Sequence, residues 1–307
     1  MISEECLAAL TDCNSPIAET DLMSLSGIDS SELQSLKEIW ANIDNKRRAS
    51  ILDKLIALSE ARMEAEFNNI FKFCLVDEEP FIRCKAIEGL WECDDRTLVG
   101  SLITIMELDE SEDVRISAAS AIGKFAVLSQ TGKMLQKDAE RIQHFLMKTI
   151  SNNTESERVI RRAIEAVAPF NTSEIQSIIQ SAYQSDQTGM KCSSLFAMGK
   201  SCDSRWLPLI VRELKSTQAS MRYEACNACA ELGEESAVPH LIPLFTDEDH
   251  ETQMAAIYAV GAIGGDLAKK ALLHCLKSSD DLAIEAAEEA LQHLASIDEA
   301  IGFSSVR

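Results

Sequence analysis

The chain has 307 residues, 46% of them hydrophobic, and its fifty acidic against twenty-nine basic side chains give a formal charge of −21. That is enough apolar material for the core of a single elongated domain, while the negative charge repels nucleic-acid phosphates and anionic lipid, so neither nucleic acid nor membrane is an expected partner. Met1 to Leu10 carry Glu4 and Glu5 and no base, and no apolar run approaches the roughly twenty residues of a membrane-spanning helix, which predicts a cytoplasmic protein whose ten cysteines are free thiols.

Residues 1–43 fit no repeat. Asp29 and Ser30 ahead of Leu33, Leu36 and Trp40 predict a helix that caps whatever follows. Residues 44–297 read as about seven and a half helical pairs, with 298–307 as a tail. Arg47 to Glu60 and Met63 to Val76 form a divergent first pair. Phe81-Ile82-Arg83 with Ala86, and Val114-Arg115 with Ala118, Ala121 and Gly123, begin the next two. Between Phe125 and Ile142 the third pair carries roughly a dozen extra residues, Gly132 among them, that lengthen its turn or its helices.

From there the spacing is regular at 31. Ala163, Ser194, Ala225, Ala256 and Ala287 coincide, as do Ala166, Ala197, Ala228, Ala259 and Ala290 three residues on. Small residues at a fixed register predict first helices that touch closely, each unit burying its apolar face only against its neighbours. The second helices repeat Ile175, Trp206, Ala237 and Ala268, then Ile179, Ile210, Leu241 and Leu272, then Tyr183, Leu214, Phe245 and Leu276. Gly233 and Gly264 mark equivalent ends of first helices, and Pro208 and Pro239 equivalent starts of second helices. Pro243 predicts a shortened or bent second helix. Leu282 to Ala295 is a last first helix with a truncated partner.

The acidic joints Asp77-Glu78-Glu79, Asp109 to Asp113, Asp247-Glu248-Asp249 and Asp280-Asp281 all precede first helices, where carboxylates cap amides and favour the positive end of the helix dipole. Arg83, Arg115 and Arg222 recur just after joints, placed to bridge an aspartate of the neighbouring joint. Ile160, Gln253 and Ile284 at the same register leave that ladder interrupted.

Val-Arg-x-x-Ala-x-x-Ala-Ile-Gly at 114–123, Arg-x-x-Ala-x-x-Ala at 222–228 and Ala-Val-Pro-His-Leu-Ile-Pro-Leu-Phe at 237–245 resemble HEAT repeats, in particular the short bacterial type named after phycobilisome lyases. The resemblance implies an all-α, right-handed α-solenoid, used by most members for protein binding and by a few for chemistry. It implies, as the alternative to a protein-interaction scaffold, a cofactor-handling subunit of bilin lyase type that holds a linear tetrapyrrole or its acceptor protein. HEAT-like deoxyhypusine hydroxylases need several His-Glu pairs for two irons, and only His250-Glu251 matches here. HEAT-like DNA glycosylases use a basic face, which an acidic chain does not offer.

No catalytic, cofactor or metal site is expected. Cys226 and Cys229 have a Cys-x-x-Cys spacing without a second pair to complete a zinc tetrahedron, and their repeat equivalents are apolar, so they read as core. His240 shares register with Ile178, Leu209 and Ala271 and reads as inward, while His293 has no evident partner. Trp91 stands where other repeats have Gly123, Ala168, Gly199, Ala230 and Gly261; it either packs against the amino-terminal cap or is an exposed aromatic anchor.

The functional signal lies on the second helices. With the apolar face fixed, the outward positions are His144, Lys148 and Ser151; Ser177, Ser181 and Gln184; Pro208, Arg212 and Lys215; Pro239, Pro243 and Thr246; Lys270, His274 and Lys277. None is acidic, where the composition would place about two acids among fifteen positions. The second helices of a HEAT solenoid line its concave side. A neutral to basic stripe there predicts a monomeric scaffold whose partner is a protein or an acidic peptide, bound through His144, Lys148, Arg212, Lys215, Lys270, His274 and Lys277, with Trp91 as a further contact.

Overall fold

A computed structural model of the chain describes residues 3–12 and 15–304, with side chains up to 296. It is all-α, with eighteen α-helices and no strand among the described residues. The chain divides into two compact units, Met1–Phe145 and Leu146–Arg307.

In the first unit, α1 (Glu4–Thr11), α2 (Glu19–Met23) and α3 (Ser30–Trp40) precede the repeats. Asp29 caps α3 as expected, in a capping box: its carboxylate accepts from the Ser31 and Glu32 amides and Glu32 accepts from the Asp29 amide. Arg47 of α4 (Asn45–Ala61) reaches back to the free carbonyls at the end of α1, donating to Ala9 at 2.7 Å and Leu10 at 3.2 Å. Those carbonyls have no partner within α1, and the cation suits the negative end of its dipole. Then come α5 (Asn68–Cys74), α6 (Pro80–Gly89), α7 (Leu98–Leu108) and α8 (Glu112–Gln130). The first helices α4, α6 and α8 stack in order, with α5 packed on α6 and α7 on α8. The extra residues of the third pair extend its helices: α8 runs for nineteen residues before Gly132 turns the chain at φ +72° into α9 (Gln136–Ile150), within which the division between the units falls.

The second unit holds α10 (Glu157–Val167), α11 (Ser173–Tyr183), α12 (Thr188–Lys200), α13 (Leu207–Glu213), α14 (Ala219–Leu232), α15 (Val238–Leu241), α16 (His250–Ile263), α17 (Gly265–Cys275) and α18 (Asp281–Ser304). Here the first helices α10, α12, α14, α16 and α18 stack in sequence, and each second helix from α11 to α17 packs on the first helix that follows it. All ten positions of the two small registers are buried, from Ala163 at 0% to Ala166 at 4% exposed. Contact is as close as those registers predict. A Cβ added to Gly199 of α12 would stand 2.9 Å from the Cα of Ala228, and one on Gly261 of α16 would stand 2.6 Å from the Ala290 Cβ. Pro243 ends α15 after four residues and the chain continues as a 3-10 segment over Ile242–Thr246. At the far end α18 runs on to Ser304, so 298–304 is helical where a tail is expected.

The joints carry the ladder. Arg83 grips both carboxylate oxygens of Asp109 at 2.7 Å and donates to the Asp77 carbonyl, so one guanidinium ties the joint before its helix to the joint after it. Arg222 does the same, with Asp247 at 2.8 and 2.6 Å and the Ser216 carbonyl at 3.0 Å. Arg48 reaches Asp77 at 2.6 Å, an addition to the expected set. Gln253, where the sequence implies a gap, closes the same bridge with a neutral amide, donating to the Phe245 carbonyl and to Asp280, both at 2.9 Å. Arg115 holds the Asp109 carbonyl at 2.8 Å.

Two local conflicts have measurable consequences. A positive φ at the ends of first helices recurs every 31 residues, at Asn171 (φ 44°), Cys202 (φ 51°), Gly233 (φ 66°) and Gly264 (φ 76°). Glycine and asparagine tolerate that region, whereas a cysteine there crowds its Cβ against the backbone. Cys202→Gly should therefore stabilise the protein by about 0.5–1 kcal/mol, while Gly233→Ala should destabilise it by about as much, read by denaturant unfolding. Loss of stability in Cys202→Gly would contradict this account of the turn.

The second conflict sits over α12, whose small face lets side chains of α10 and α14 share one cleft of about 330 Å³. Glu165 is buried there against Arg162 at 2.7 Å, and Glu224 lies in the same cleft beside Phe196, Tyr223 and Asn227. Burial first, then the Glu165 charge, raises the Glu224 carboxyl to about 7, against the pull of Arg162 and Arg161. The fold thus favours the protonated acid. Its stability contribution is full below the ordinary carboxyl range and is lost as pH rises through about 7. Glu224→Gln should match the parent at pH 4 and exceed it at pH 8 by on the order of 3 kcal/mol. An unchanged difference between the two pH values would refute the burial of this carboxylate.

Candidate partner-binding surface

Each second helix of the second unit is amphipathic. Ile175 and Ile179 on α11, Ile210 on α13, Leu241 on α15 and Leu272 on α17 are all 0% exposed, so the opposite side of each helix must face solvent. All fifteen outward positions named from the sequence are exposed. His144 belongs to the first unit and Lys148 to the second, both on α9. Within the second unit Lys215, Lys270 and Lys277 have no ion-pair partner among the described residues. Acids on the first helices of that unit are paired or enclosed: Glu231 holds Lys200 at 2.5 Å, Glu289 accepts from Tyr258 at 2.8 Å, and Glu165 and Glu224 line the cleft over α12.

Arg212 differs from the free cation that its register implies. Its guanidinium donates from Nη2 to the Tyr183 hydroxyl and from Nε to Glu213 at 3.2 Å, with its Cζ 5.4 Å from the Tyr183 ring centroid. The Tyr183 hydroxyl in turn donates to Glu213. Burial, then the Glu213 carboxylate, raises the Tyr183 hydroxyl, and the Tyr183 contact raises Arg212 further. The three side chains wall an open, polar cleft of about 490 Å³ between the ends of α11 and α13, with Gln180, Gln184 and Lys191 around it. Sequence reasoning missed Tyr183 and Glu213. The available signal was a lone hydroxyl among Leu214, Phe245 and Leu276 in the same register, and an acid adjoining Arg212.

Trp91 is 53% exposed and does not pack as a cap device. The reason is that α6 stops at Gly89, where an added Cβ would meet the Phe71 ring of α5 at 2.5 Å. Trp91 therefore falls in the turn beyond the helix, two residues after the seam that its register implies, and its carbonyl accepts from Lys124. His240 is exposed, not inward: its register equivalents Ile178, Leu209 and Ala271 are themselves only half-buried, so the position lies at the edge of the apolar face, while Ala237 and Leu241 fill the core. His250 faces solvent with Nδ1 2.8 Å from the Gln253 amide oxygen, and His293 is exposed. Cys226 and Cys229 are fully buried, and burial pushes both thiols up, Cys229 to about 12. Nine cysteines are free, and Cys13 lies outside the described residues. No group of three or more His, Cys, Asp or Glu among the described residues is placed to hold a metal ion. The single His250-Glu251 pair therefore does not fit a diiron ligand set.

Residues 207–292, spanning α13 to the first half of α18, match the family model of HEAT repeats. Comparison with curated proteins gives no match. Among solved structures, human deoxyhypusine hydroxylase aligns over 95% of this chain and 96% of its own at 14% identity and a TM-score of 0.39. The Escherichia coli protein YibA aligns over 81% and 96% at 17% identity and 0.42, and a Kap121p mutant over 94% and 37% at 16% and 0.48. Likeness at this level is that of stacked helices in general and carries no function with it. Each unit is an all-α stack of helical pairs, and the segment 207–292 of the second is similar to HEAT repeats.

Proposed function

We propose that the protein is an interaction scaffold, acting as a cytoplasmic monomer, whose second-helix stripe in the second unit binds an acidic segment of a protein partner. One observation carries this reading: the twelve outward register positions from Ser177 to Lys277 are exposed and none is acidic, in a chain with a net charge of −21, while the acids Glu174 and Asp266 stand in the first turns of α11 and α17. Such a surface inside an acidic molecule attracts carboxylates and disfavours phosphate-rich polymers, which the rest of the chain repels. The same net charge opposes self-association, and nine unpaired cysteines suit a reducing compartment. No helix among the described residues is long and apolar enough to cross a membrane.

The test reverses Lys215, Lys270 and Lys277 to Glu together in the full chain. Arg212 is left alone, because a carboxylate there would meet Glu213 and disturb the Tyr183 cluster. The melting temperature should hardly change, since exposed charges contribute little to stability. Proteins captured from native lysate at low salt by the parent should be lost from the variant, and their capture by the parent should weaken as salt rises. Capture of the same proteins by both forms would place binding elsewhere.

A further inference from the structure

Among the described second helices of the second unit, large apolar side chains more than a third exposed occur on α17 alone, at Leu267 (46%) and Leu273 (48%). At about 100° per residue the two fall roughly 120° apart around the helix, and Lys270, His274 and Lys277 lie on the arc between them. The side chains opposite that arc, Ala268, Leu272 and Cys275, are buried, so the arc is the face that α17 turns away from the fold. Asp266 also lies on it, in the first turn, where a carboxylate favours the helix dipole. The outcome is a basic ridge with a leucine on each shoulder, continuous in chain order with the exposed Pro239 and Pro243 of the neighbouring second helix.

A lone exposed leucine has no meaning, but two that flank Lys270 and His274 on one helix, with Lys277 two residues past its end, make a surface whose two properties want different things from a ligand. The cations want carboxylates, and the leucines want apolar side chains that exclude water from around those ion pairs and so strengthen them. Polyanions such as nucleic acid satisfy only the first. We infer that α17 is the anchoring end of the stripe and takes a protein segment in which apolar side chains alternate with glutamate or aspartate. This inference rests on the scaffold reading above and names the chemistry of its partner.

The experiment uses the full chain and two synthetic peptides of equal length and equal glutamate content, one with leucines between the glutamates and the other with serines, titrated by calorimetry at low salt. The leucine peptide should bind about tenfold or more tightly than the serine peptide, the gain expected from covering two half-exposed leucines. Leu267→Gln with Leu273→Gln should remove that preference while leaving the weaker, salt-sensitive binding of the serine peptide. Leu267→Met with Leu273→Met should retain it, and helical circular dichroism should be unchanged in both variants. Equal binding of the two peptides, or a preference that survives the Gln substitutions, overturns the inference and leaves the stripe reading standing. Binding of neither peptide overturns the stripe reading as well. Stronger binding to phosphatidylserine vesicles than to the leucine peptide would overturn it in favour of a lipid surface.

Discussion

The distance between consecutive first helices sets the terms for everything else in the second unit. Where Gly199 faces Ala228 and Gly261 faces Ala290, there is no room for a further methyl group. Backbones that approach so closely gain dispersion contacts along their whole length and exclude water from the seam, but only if every residue on it is small. That requirement explains why alanine recurs at fixed register in α10, α14, α16 and α18, and why the buried Ser194 of α12 is tolerated: its hydroxyl donates to the Ile179 carbonyl at 2.9 Å. Helices spaced in this way build an array in which stability is a sum of neighbour contacts rather than the property of one central core.

The same spacing lets one side chain reach two joints. A guanidinium at the start of a first helix lies within bonding distance of the loop before it and the aspartate after it, as for Arg83 and Arg222. Each of those aspartates also accepts from a backbone amide of its own loop, Asp109 from Ser111 and Asp247 from Asp249, both at 2.9 Å. The Arg222 and Asp247 side chains are 9% and 8% exposed, so neither charge is tolerable without the other. Acids placed at joints therefore have structural duties. Part of the chain's negative charge is thereby fixed at the joints, away from the twelve outward register positions of the second helices.

Much of this was legible in the sequence, because a 31-residue period in small and apolar residues translates directly into stacked helices. The closed joints were half legible. Arg83 and Arg222 announce themselves as cations, but Gln253 makes the same bridge without charge and leaves no mark that distinguishes it from a surface amide. Positive-φ turns were readable at Gly233 and Gly264 and invisible at Cys202, because a residue type that tolerates a strained backbone signals it and one that merely endures it does not. Register misled at Trp91, where α6 ends two residues early, and at His240, whose equivalents Ile178, Leu209 and Ala271 stand at the edge of the apolar face rather than inside it. On the candidate surface, exposure followed from the amphipathic pattern. The cluster of Arg212 with Tyr183 did not, since it joins residues 29 apart whose meeting depends on how two helices end. The division of the chain within α9 has no counterpart in composition or spacing.

The claim on which the account turns is that the alanine register is a packing seam and the second-helix stripe is not. Comparing the unfolding curves of Ala228→Leu and Ser181→Leu tests both halves at once. Ala228 is 2% exposed and its Cα is the atom that a Cβ on Gly199 would strike, whereas Ser181 faces solvent on α11. Ala228→Leu should cost on the order of 1–3 kcal/mol and broaden the transition as the flanking repeats uncouple, and Ser181→Leu should change stability by no more than about half a kcal/mol. Superimposable curves for the two variants would show that consecutive first helices do not depend on that seam.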